Sequence, residues 1–315
     1  MRILVTGADG FVGQKLCQVL VAEGFYVRAA LWSDQNINQL SNDVEKVCVG
    51  DIGAVVDWRQ ALKGIDVVVH LAARVHMMQD EVKEPLVEYR RVNVEGTRQL
   101  AKAAMEAGAK RLVFLSTIKV NGEETTIDKP FREDDKVDPQ DDYAVSKWEA
   151  ENVLQDFSSQ KAFELVVIRS PLVYGPGVKA NFKKLLKMSD FPLPLKNINN
   201  QRSFIFLGNL VDAIKICVTH PSASGETFLV GDGQNVSISD LIRMIAIAKN
   251  KNPKLFFVPL NILKILMKAI GKEEVLTRLI GSLVVDSSKI RGLLYWNPPF
   301  TLEEGIRKTV EECKL

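Results

Sequence analysis

The first thirteen residues, Met1-Arg-Ile-Leu-Val-Thr-Gly-Ala-Asp-Gly-Phe-Val-Gly13, decide the fold. Residues 3–5 form an aliphatic run that is typical of a buried strand, and residues 14–23 have the spacing of an amphipathic helix. Between them, Gly7, Gly10 and Gly13 would allow a tight turn, close approach of phosphates and close helix–strand packing, in that order. Backbone N–H groups and the positive end of the helix dipole then meet at one point, which suits a pyrophosphate. We predict a nucleotide site here, and an ordinary glycine-containing turn is the alternative.

The composition is that of an ordinary globular protein of 315 residues, with 25% charged residues and a net charge of +2. This near balance of charge argues against nucleic acid as the main partner. The four cysteines, at positions 17, 48, 217 and 313, lie far apart and form no CxxC pair. We therefore expect reduced thiols, no disulfide framework and no metal site. Because the first strand begins at residue 2 or 3, there is no room for a signal peptide, and we expect a cytoplasmic protein.

One later segment, residues 256–270, is strongly apolar, but Pro259, Lys264 and Lys268 interrupt it. It is too short and too charged to span a bilayer, so we expect no membrane insertion. A helix that packs in the core or between lobes is the preferred interpretation. Contact with a membrane surface is the alternative.

Alternating strands and helices follow the glycine loop. Apolar runs at 25–31, 44–49, 66–71, 111–115 and 163–169 predict strands, and residues 55–63, 85–108 and 142–157 between them predict helices. This order is typical of an α/β fold with a doubly wound parallel sheet, the Rossmann arrangement. Residues 1–170 would form the dinucleotide-binding domain, with about 207–231 returning to it. Residues 171–206 and 232–315 would form a smaller C-terminal α/β substrate-binding lobe that closes over the nucleotide.

The end of the second strand bears on the choice of cofactor. NAD-binding units of this kind usually carry an acid there that holds the ribose 2′-hydroxyl, but this chain has Leu31 and no carboxylate before Asp34. Ser33 could donate a hydrogen bond to a 2′-phosphate, whereas Arg28 could be too far back in the strand. We therefore favour NADP(H) over NAD(H). Asp51, after the third strand, is placed to meet the adenine amino group, with a cap or loop acid as its alternative.

The segment Asp142-Tyr-Ala-Val-Ser-Lys147 indicates acid–base chemistry. Tyr143 and Lys147 share one helix face, and an ammonium about 4 Å from a phenol would lower its pKa by about three units. The fifth strand ends in Ser116 and Thr117, which could contact a substrate oxygen. Together these residues form a set for hydride transfer at a carbon that bears oxygen. A surface helix and strand-end capping are the alternatives. His76, Met77, Met78 and Lys119 are weaker candidates for the same site.

Five motifs resemble those of the extended short-chain dehydrogenase/reductase family. They are Thr6-Gly-Ala-Asp-Gly-Phe-Val-Gly13, His70-Leu-Ala-Ala73, Asn93-Val-Glu-Gly-Thr97, Ser116-Thr117 and Tyr143-x-x-x-Lys147. The resemblance is to the NAD-dependent epimerase/dehydratase group, which acts on nucleotide sugars, and it covers essentially the whole chain. Residues 114–122 and 278–286 resemble a bacterial subgroup that includes C4 reductases of UDP-4-keto-6-deoxy-N-acetylhexosamines alongside UDP-sugar 4-epimerases.

The resemblance assigns roles to individual residues. Tyr143, Lys147, Thr117 and Ser116 would be catalytic, Asn93 would brace the central strands, and Thr117 would contact the sugar O4. The cofactor would be bound by Gly7, Gly10, Phe11, Val12, Gly13, Trp32, Ser33, Asp51, Ile52, Leu71, Ala72, Ala73, Asn93, Lys147 and Pro171. The substrate would be bound by Thr117, Tyr143, Asn181, Arg202 and Arg278, with the two arginines on the diphosphate.

Three departures from the family pattern shape the functional prediction. Leu31 replaces the acid of many NAD-dependent epimerases, Leu172 replaces a substrate-binding Asn, and no acid or lysine follows Thr117 directly, which argues against a dehydratase. We predict an NADPH-linked reductase acting at C4 of a UDP-linked keto-sugar in lipopolysaccharide or other surface-polysaccharide biosynthesis. A UDP-sugar 4-epimerase with tightly held NAD is the alternative, and a cofactor-sensing regulator is a distant one. The resemblance also implies a homodimer through residues 85–108 and 142–157.

Overall fold

The structure is built around one parallel β-sheet. It is a computed structural model that describes residues 1–33, 40–53, 55–75, 84–160, 163–196 and 198–312; for residues 180, 181 and 274 only the backbone is described. The strands are β1 (Arg2–Thr6), β2 (Tyr26–Leu31), β3 (Glu45–Cys48), β4 (Val67–His70), β5 (Arg111–Thr117), β6 (Glu164–Ser170), β7 (Leu172–Tyr174), β8 (Phe204–Phe206) and β9 (Thr227–Leu229). Seven of them form the main sheet in the order β3-β2-β1-β4-β5-β6-β9, and β7 pairs with β8. Each recorded strand pair is parallel, which confirms the predicted doubly wound sheet.

Helices connect these strands. The α-helices of the described residues are α1 (Phe11–Ala22), α2 (Arg59–Leu62), α3 (Pro85–Tyr89), α4 (Gly96–Glu106), α5 (Asp142–Ser159), α6 (Ala180–Met188), α7 (Leu207–Thr219), α8 (Ile238–Ala248), α9 (Leu260–Ala269), α10 (Glu273–Ile280), α11 (Ser288–Leu294) and α12 (Leu302–Glu312). A π-helical turn occupies Arg90–Glu95, and 3₁₀ turns occupy Ile118–Val120 and Pro221–Ala223. Across the described part of the chain, each helix is too short or too polar to cross a membrane.

Helices cover both faces of the main sheet, so its central strands are apolar on both sides. Ile3, Leu4 and Val5 in β1 are fully buried. Ile3 and Val5 pack in a cluster with residues of α1 and α7, whereas Leu4 packs in a second cluster with residues of α4 and α5. The glycine loop at the end of β1 therefore lies at the centre of the sheet edge from which α1 starts.

After β6 the chain leaves the main sheet and then returns to it. Helix α7 packs in the main-sheet cluster and β9 pairs with β6, as the predicted return of residues 207–231 requires. A third apolar cluster forms around Tyr174, Phe182 and Phe204 and includes residues of α6, α8 and α12. Ile290 and Leu294 of α11, which the sequence places in the smaller lobe, pack instead in the main-sheet cluster. The division into two lobes stays a prediction.

Two helices differ from the sequence prediction for identifiable reasons. The predicted helix over 55–63 is reduced to α2, whose N-cap residue is Trp58, and the Asp57 carboxylate just before it accepts the N–H of Arg59 at 3.0 Å. The predicted helix over 85–108 is interrupted by the π-helical turn at Arg90–Glu95. That turn carries Asn93, whose contacts are described below.

Candidate active site

The glycine loop leads directly into α1 and leaves no space for side chains. Gly7 has a φ of +63°, and a Cβ added there would lie 2.8 Å from the backbone nitrogen of Ala72. A Cβ at Gly13 would lie 2.1 Å from the carbonyl oxygen of Gly7, so α1 packs against the loop itself. The first turn of α1, which includes Phe11 and Val12, has N–H groups with no acceptor inside the helix. This tight loop at a helix N-terminus fits the pyrophosphate of a dinucleotide.

A buried chain of hydrogen bonds lies beside the loop, between β1, β4 and α4. Thr6 Oγ1 lies 2.7 Å from His70 Nδ1 and accepts the N–H groups of the two residues after His70, both at 3.2 Å. His70 Nε2 lies 2.9 Å from Thr97 Oγ1, and the Thr97 hydroxyl donates to the carbonyl of Asn93 at 2.6 Å. The Thr97 oxygen therefore accepts from Nε2–H, and Nδ1 accepts from Thr6. Burial, with the charge of Lys147 second, lowers the pKa of His70 to about 3 and keeps it neutral.

Asn93 connects the segment after β4 to the helix that carries Tyr143. Its side-chain oxygen accepts the N–H of Arg74 at 2.8 Å, and its amide donates to the carbonyl of Arg74 and to Ser146 Oγ. The Ser146 hydroxyl in turn donates to the carbonyl of Tyr143 at 2.8 Å. The sequence predicts a brace at Asn93. The structure shows that the π-helical turn presents this side chain to α5 and to residue 74.

Lys147 is a buried cation on α5. The residue is 2% exposed, and its Nζ lies 3.7 Å from the centroid of the Phe114 ring. Burial lowers the pKa of Lys147 from its ordinary 10.5 to about 7, and the nearby Glu151 carboxylate opposes that change. A group with such a pKa changes its charge near neutral pH, which is a property of many functional sites.

Tyr143 lies in the first turn of α5, half-buried, with its ring 6.2 Å from that of Tyr89 in an edge-on contact. Burial raises the pKa of Tyr143, and the negative charge of Asp141 raises it further, as does Tyr89. The sequence analysis expects Lys147 to lower this pKa, and that expectation is wrong for the residues described here. The reason is that desolvation and the charge of Asp141 both disfavour the phenolate.

Ser116 and Thr117 alternate along β5, so their side chains point to opposite faces of the sheet. Ser116 is buried, and its hydroxyl donates to the Glu151 carboxylate. The structure therefore does not support the predicted role of Ser116 at the substrate. Thr117 is half-buried at the last position of the strand, where its Oγ1 accepts the N–H of Lys119 at 3.3 Å.

The partners of Ser116 form a buried ion pair that the sequence analysis does not anticipate. Arg169 in β6 and Glu151 in α5 are separated by 2.7 Å, and both side chains are 5% exposed. Arg169 also donates to Asn121 Oδ1 at 3.0 Å. The available signal is that Arg169 is a charged residue in the largely apolar strand β6, but its pairing with Glu151 spans 18 positions and is set by the fold.

Lys119 joins the end of β5 to the start of α5. Its Nζ donates to Asp141 Oδ2 at 2.5 Å and to Glu123 Oε1 at 2.9 Å. Asp141 is also the N-cap of α5, accepting the N–H of Ala144 at 2.7 Å. Because Lys119 follows Thr117 by two positions and Asp141 precedes Tyr143 by two, this ion pair brings the two predicted catalytic segments together.

The predicted adenine end of the site lies beyond β2 and β3. The Asp51 carboxylate accepts the N–H of Gly53 at 3.1 Å and pairs with Arg91 at 2.7 Å, and the Arg91 hydrogen bond holds its pKa below the usual value. A Cβ at Gly96 would lie 2.1 Å from the carbonyl oxygen of Ile52, so this loop packs directly on α4. Asp51 thus has an established protein partner, and a contact with adenine remains a prediction.

Arg28 is excluded as a ligand for a 2′-phosphate. It lies in the middle of β2, where its guanidinium pairs with Glu45 at 2.6 Å and donates to the carbonyls of Ala61 and Lys63. At the end of the strand Trp32 is 70% exposed and is followed by Ser33. Asp34 lies outside the described residues. Arg28 therefore holds β2, β3 and the end of α2 together, and the mid-strand position that the sequence suggested for it is confirmed.

The two predicted diphosphate-binding arginines are neighbours. Arg202 Nη1 donates to the carbonyl of Arg278 at 2.9 Å and to that of Gly281 at 2.8 Å, so it holds the C-terminal end of α10. Burial lowers the pKa of Arg202, and the Arg278 side chain is exposed. The structure brings together these two residues, which are 76 positions apart in the sequence.

The remaining predicted residues follow β6 or β4 in the sequence. Pro171 is buried between β6 and β7, and Leu172 is 40% exposed. The backbone of Asn181 lies in α6, but its side chain is outside the description. His76, Met77 and Met78 lie outside the described residues.

Comparison with known proteins agrees with this geometry. Residues 3–231 match the NAD dependent epimerase/dehydratase family. The chain belongs to this family. Over 313 residues it is 44% identical to a UDP-glucose 4-epimerase of Vibrio cholerae, covering 98% of this chain and 94% of that protein.

Solved structures of related enzymes have the same fold. The UDP-glucuronic acid 4-epimerase of Bacillus cereus in complex with NAD is 25% identical to this chain, with a TM-score of 0.80. The match covers 100% of this chain and 99% of the epimerase chain. A structure of MoeE5 with UDP-glucuronic acid and NAD is also 25% identical, with a TM-score of 0.78 and the same coverage.

Family membership confirms the predicted extended short-chain dehydrogenase/reductase resemblance and its NAD-dependent enzyme class. The glycine loop described above provides the site that such a cofactor needs. The predicted preference for NADP(H) receives no support, because the related structures contain NAD and Arg28 is engaged elsewhere.

Proposed function

We propose that this protein is a 4-epimerase of a UDP-linked sugar that works with tightly bound NAD. The observation that carries the proposal is the 44% identity to the Vibrio cholerae UDP-glucose 4-epimerase along nearly all of both chains. The sequence analysis places a C4 reductase first and the epimerase second. The preference for NADP(H), which goes with the reductase, rests on the missing acid at Leu31 and on Ser33, whereas the structures of related enzymes contain NAD and support the epimerase.

For the cofactor, we propose that Gly7, Gly10 and Gly13 with the first turn of α1 hold the pyrophosphate. The remaining cofactor residues are proposed to be Phe11, Val12, Trp32, Ser33, Asp51, Ile52, Leu71, Ala72, Ala73, Asn93, Lys147 and Pro171. The hydrogen-bonded chain from Thr6 to Thr97 supports residues 71 and 72 in this role, because it fixes their backbone beside the glycine loop. When bound, NAD would take up and return a hydride at the sugar carbon and add positive charge near Tyr143.

For the substrate, we propose that the Tyr143 hydroxyl exchanges the proton of the sugar 4-hydroxyl while Thr117 orients that oxygen. Lys147 would stabilise the phenolate during this exchange. Since burial and Asp141 raise the pKa of Tyr143, the phenol is the resting form, and proton removal depends on cationic charge at the site. Arg202, Arg278 and Asn181 are proposed to bind the nucleotide diphosphate end.

A cofactor-free assay distinguishes the proposals. The purified protein is denatured, the released nucleotide is identified by mass spectrometry, and UDP-glucose and UDP-N-acetylglucosamine are offered without added cofactor. We expect release of NAD and interconversion at C4. Turnover that requires added NADPH and a 4-keto sugar would instead establish the reductase and overturn the epimerase proposal.

Replacing Tyr143 with phenylalanine tests the proposed acid–base group. We expect turnover to fall by about 10²-fold or more while the bound nucleotide is retained, because the hydroxyl alone is lost. Tyr295→Phe is the matched control, since Tyr295 is 82% exposed and lies outside the proposed site. Full activity of Tyr143→Phe would exclude Tyr143 from the mechanism. A wild-type protein that binds nucleotide but shows no turnover of any of these sugars would instead favour the predicted sensing regulator.

The predicted homodimer through residues 85–108 and 142–157, which include α3, α4 and most of α5, stays a proposal. Sedimentation velocity on the purified protein tests it.

A further inference from the structure

Helix α9 and the strand-free segment before it carry a large apolar surface that the protein does not bury. Its residues are large hydrophobic side chains that are between 41% and 68% exposed. They are Phe256, Phe257, Leu260, Ile262, Ile265, Leu266 and Ile270. We call this set the α9 surface. Single exposed hydrophobic residues are common on proteins, but seven within fifteen positions form a patch that needs a partner.

The geometry of α9 shows that its apolar face is wider than the protein requires. Leu263 is buried and Met267 is half-buried in the third apolar cluster, so these residues mark the side that faces the protein. At 3.6 residues per turn, Ile262, Ile265 and Leu266 extend the same apolar arc around the helix to about 200°. The sequence analysis prefers a core or lobe-packing helix. The structure shows that only one side of the helix packs in this way.

The charged residues within the segment that carries this surface are all lysines, and Glu273 and Glu274 follow it at the start of α10. Residues 251–272 contain Lys251, Lys254, Lys264, Lys268 and Lys272 and no aspartate or glutamate. Lys264 and Lys268 lie on the helix face opposite the apolar arc and are exposed. Lys251 forms an ion pair with Asp190, at 2.6 Å. A helix with a wide apolar arc beside a row of lysines is the pattern of a segment that lies in the surface of an anionic membrane.

We propose that the α9 surface binds the surface of an anionic lipid bilayer. Helix α9 would lie parallel to the membrane, with Ile262, Ile265 and Leu266 at the boundary between headgroups and acyl chains and with Lys264 and Lys268 near the lipid phosphates. This is peripheral binding and needs no spanning helix. A second copy of the chain fits less well, because a symmetric contact through this surface would bring two rows of lysines together.

Vesicle flotation tests the proposal with the full chain. The wild-type protein is mixed with vesicles of equal parts phosphatidylcholine and phosphatidylglycerol, or of phosphatidylcholine alone. We expect binding to the anionic vesicles at low ionic strength, weak binding to neutral ones, and release as salt is raised. Absence of binding to anionic vesicles, or equal binding to both compositions at all salt concentrations, would overturn the proposal.

Substitutions locate the contact. Ile265→Glu is expected to reduce the partition coefficient onto anionic vesicles by about tenfold or more, because it places a carboxylate in the apolar arc. Ile247→Glu is the matched control, since Ile247 is 65% exposed on α8, close to the 68% of Ile265. Circular dichroism and bound nucleotide should be unchanged in both variants. If Ile265→Glu leaves vesicle binding unchanged, or abolishes a concentration-dependent dimer of a wild type that ignores vesicles, the membrane is the wrong partner.

Discussion

Replacing Lys147 with methionine is expected to stabilise the fold while it destroys activity. Methionine keeps the length of the side chain but removes a charge from a residue that is 2% exposed. The folded chain holds this ammonium with a pKa of about 7 instead of 10.5. That difference of about 3.5 units corresponds to roughly 5 kcal/mol of destabilisation of the wild type when the lysine is protonated.

Part of that gain is lost again, because methionine does not replace the contact of the ammonium with the Phe114 ring, which is worth about 1–2 kcal/mol. A net increase of about 3 kcal/mol in the free energy of unfolding, or roughly 3–6 °C in Tm for a chain of this length, is therefore expected below neutral pH. Turnover should fall by about 10²-fold or more, since the proposed phenolate loses its cation. A stabilising substitution that removes function is typical of active-site residues.

The dependence on pH has a definite sign. Between about pH 7 and 10.5 the unfolded wild-type chain holds a proton on Lys147 that the folded chain does not, so wild-type stability rises with pH across that window. The advantage of Lys147→Met is therefore full below about pH 7 and shrinks as pH rises through the window.

Thermal melting followed by circular dichroism at pH 6 and at pH 9.5, without added nucleotide, measures this difference. Lys102→Met is the matched control, because Lys102 is an exposed lysine on α4 and its loss should give no such pH-dependent gain. A Tm of Lys147→Met that equals or falls below that of the wild type at pH 6 would refute the reasoning, as would a difference that stays constant with pH.

Two further predictions test the cofactor loop and the start of α5. Gly13→Ala should lower the amount of NAD that copurifies by about tenfold or more, because its Cβ would lie 2.1 Å from the carbonyl oxygen of Gly7. The released NAD is measured by absorbance after denaturation. Gly24→Ala is the control for a general loss of stability, since Gly24 has a positive φ but open space around it. Lys119→Met should move the rise of kcat/KM with pH to higher pH, because the Asp141 charge would then raise the pKa of Tyr143 without its ion-pair partner. Lys119→Arg should restore the wild-type pH profile. An unchanged profile in Lys119→Met would exclude this coupling.

The parts of the fold that the sequence predicts are those set by local pattern. The strand, glycine loop and helix at residues 2–22 follow from short-range periodicity and three glycines, and the i, i+4 spacing of Tyr143 and Lys147 follows from helix geometry alone. The strand pair β7 and β8 is different. Each strand has three residues, and their partners are about thirty positions apart, so nothing in the local sequence indicates the pairing.

The site shows the same limit more sharply. The sequence places two hydroxyls at the end of β5, but the pleat of the strand directs them to opposite faces of the sheet. The Ser116 hydroxyl donates to Glu151, which is 35 positions away. The expected position of Arg28 inside β2 is confirmed, but its partner Glu45 is 17 positions away and is not indicated by the local sequence. The expected lowering of the Tyr143 pKa is wrong for a related reason, since the spacing predicts a lysine beside the phenol but not the burial and the Asp141 charge that raise this pKa.

The buried charges on α5 explain why one helix can both hold the fold and tune the site. Lys147 and Glu151 are four positions apart and share a face, and Glu151 raises the pKa of Lys147 against the effect of burial. Glu151 is held in place by Arg169 and by the hydroxyl of Ser116. Burial outweighs the charge of Glu151, which Arg169 also pairs, and the pKa of Lys147 is therefore about 7. Arg169 of strand β6 therefore acts on the proposed catalytic lysine indirectly, through its ion pair with Glu151.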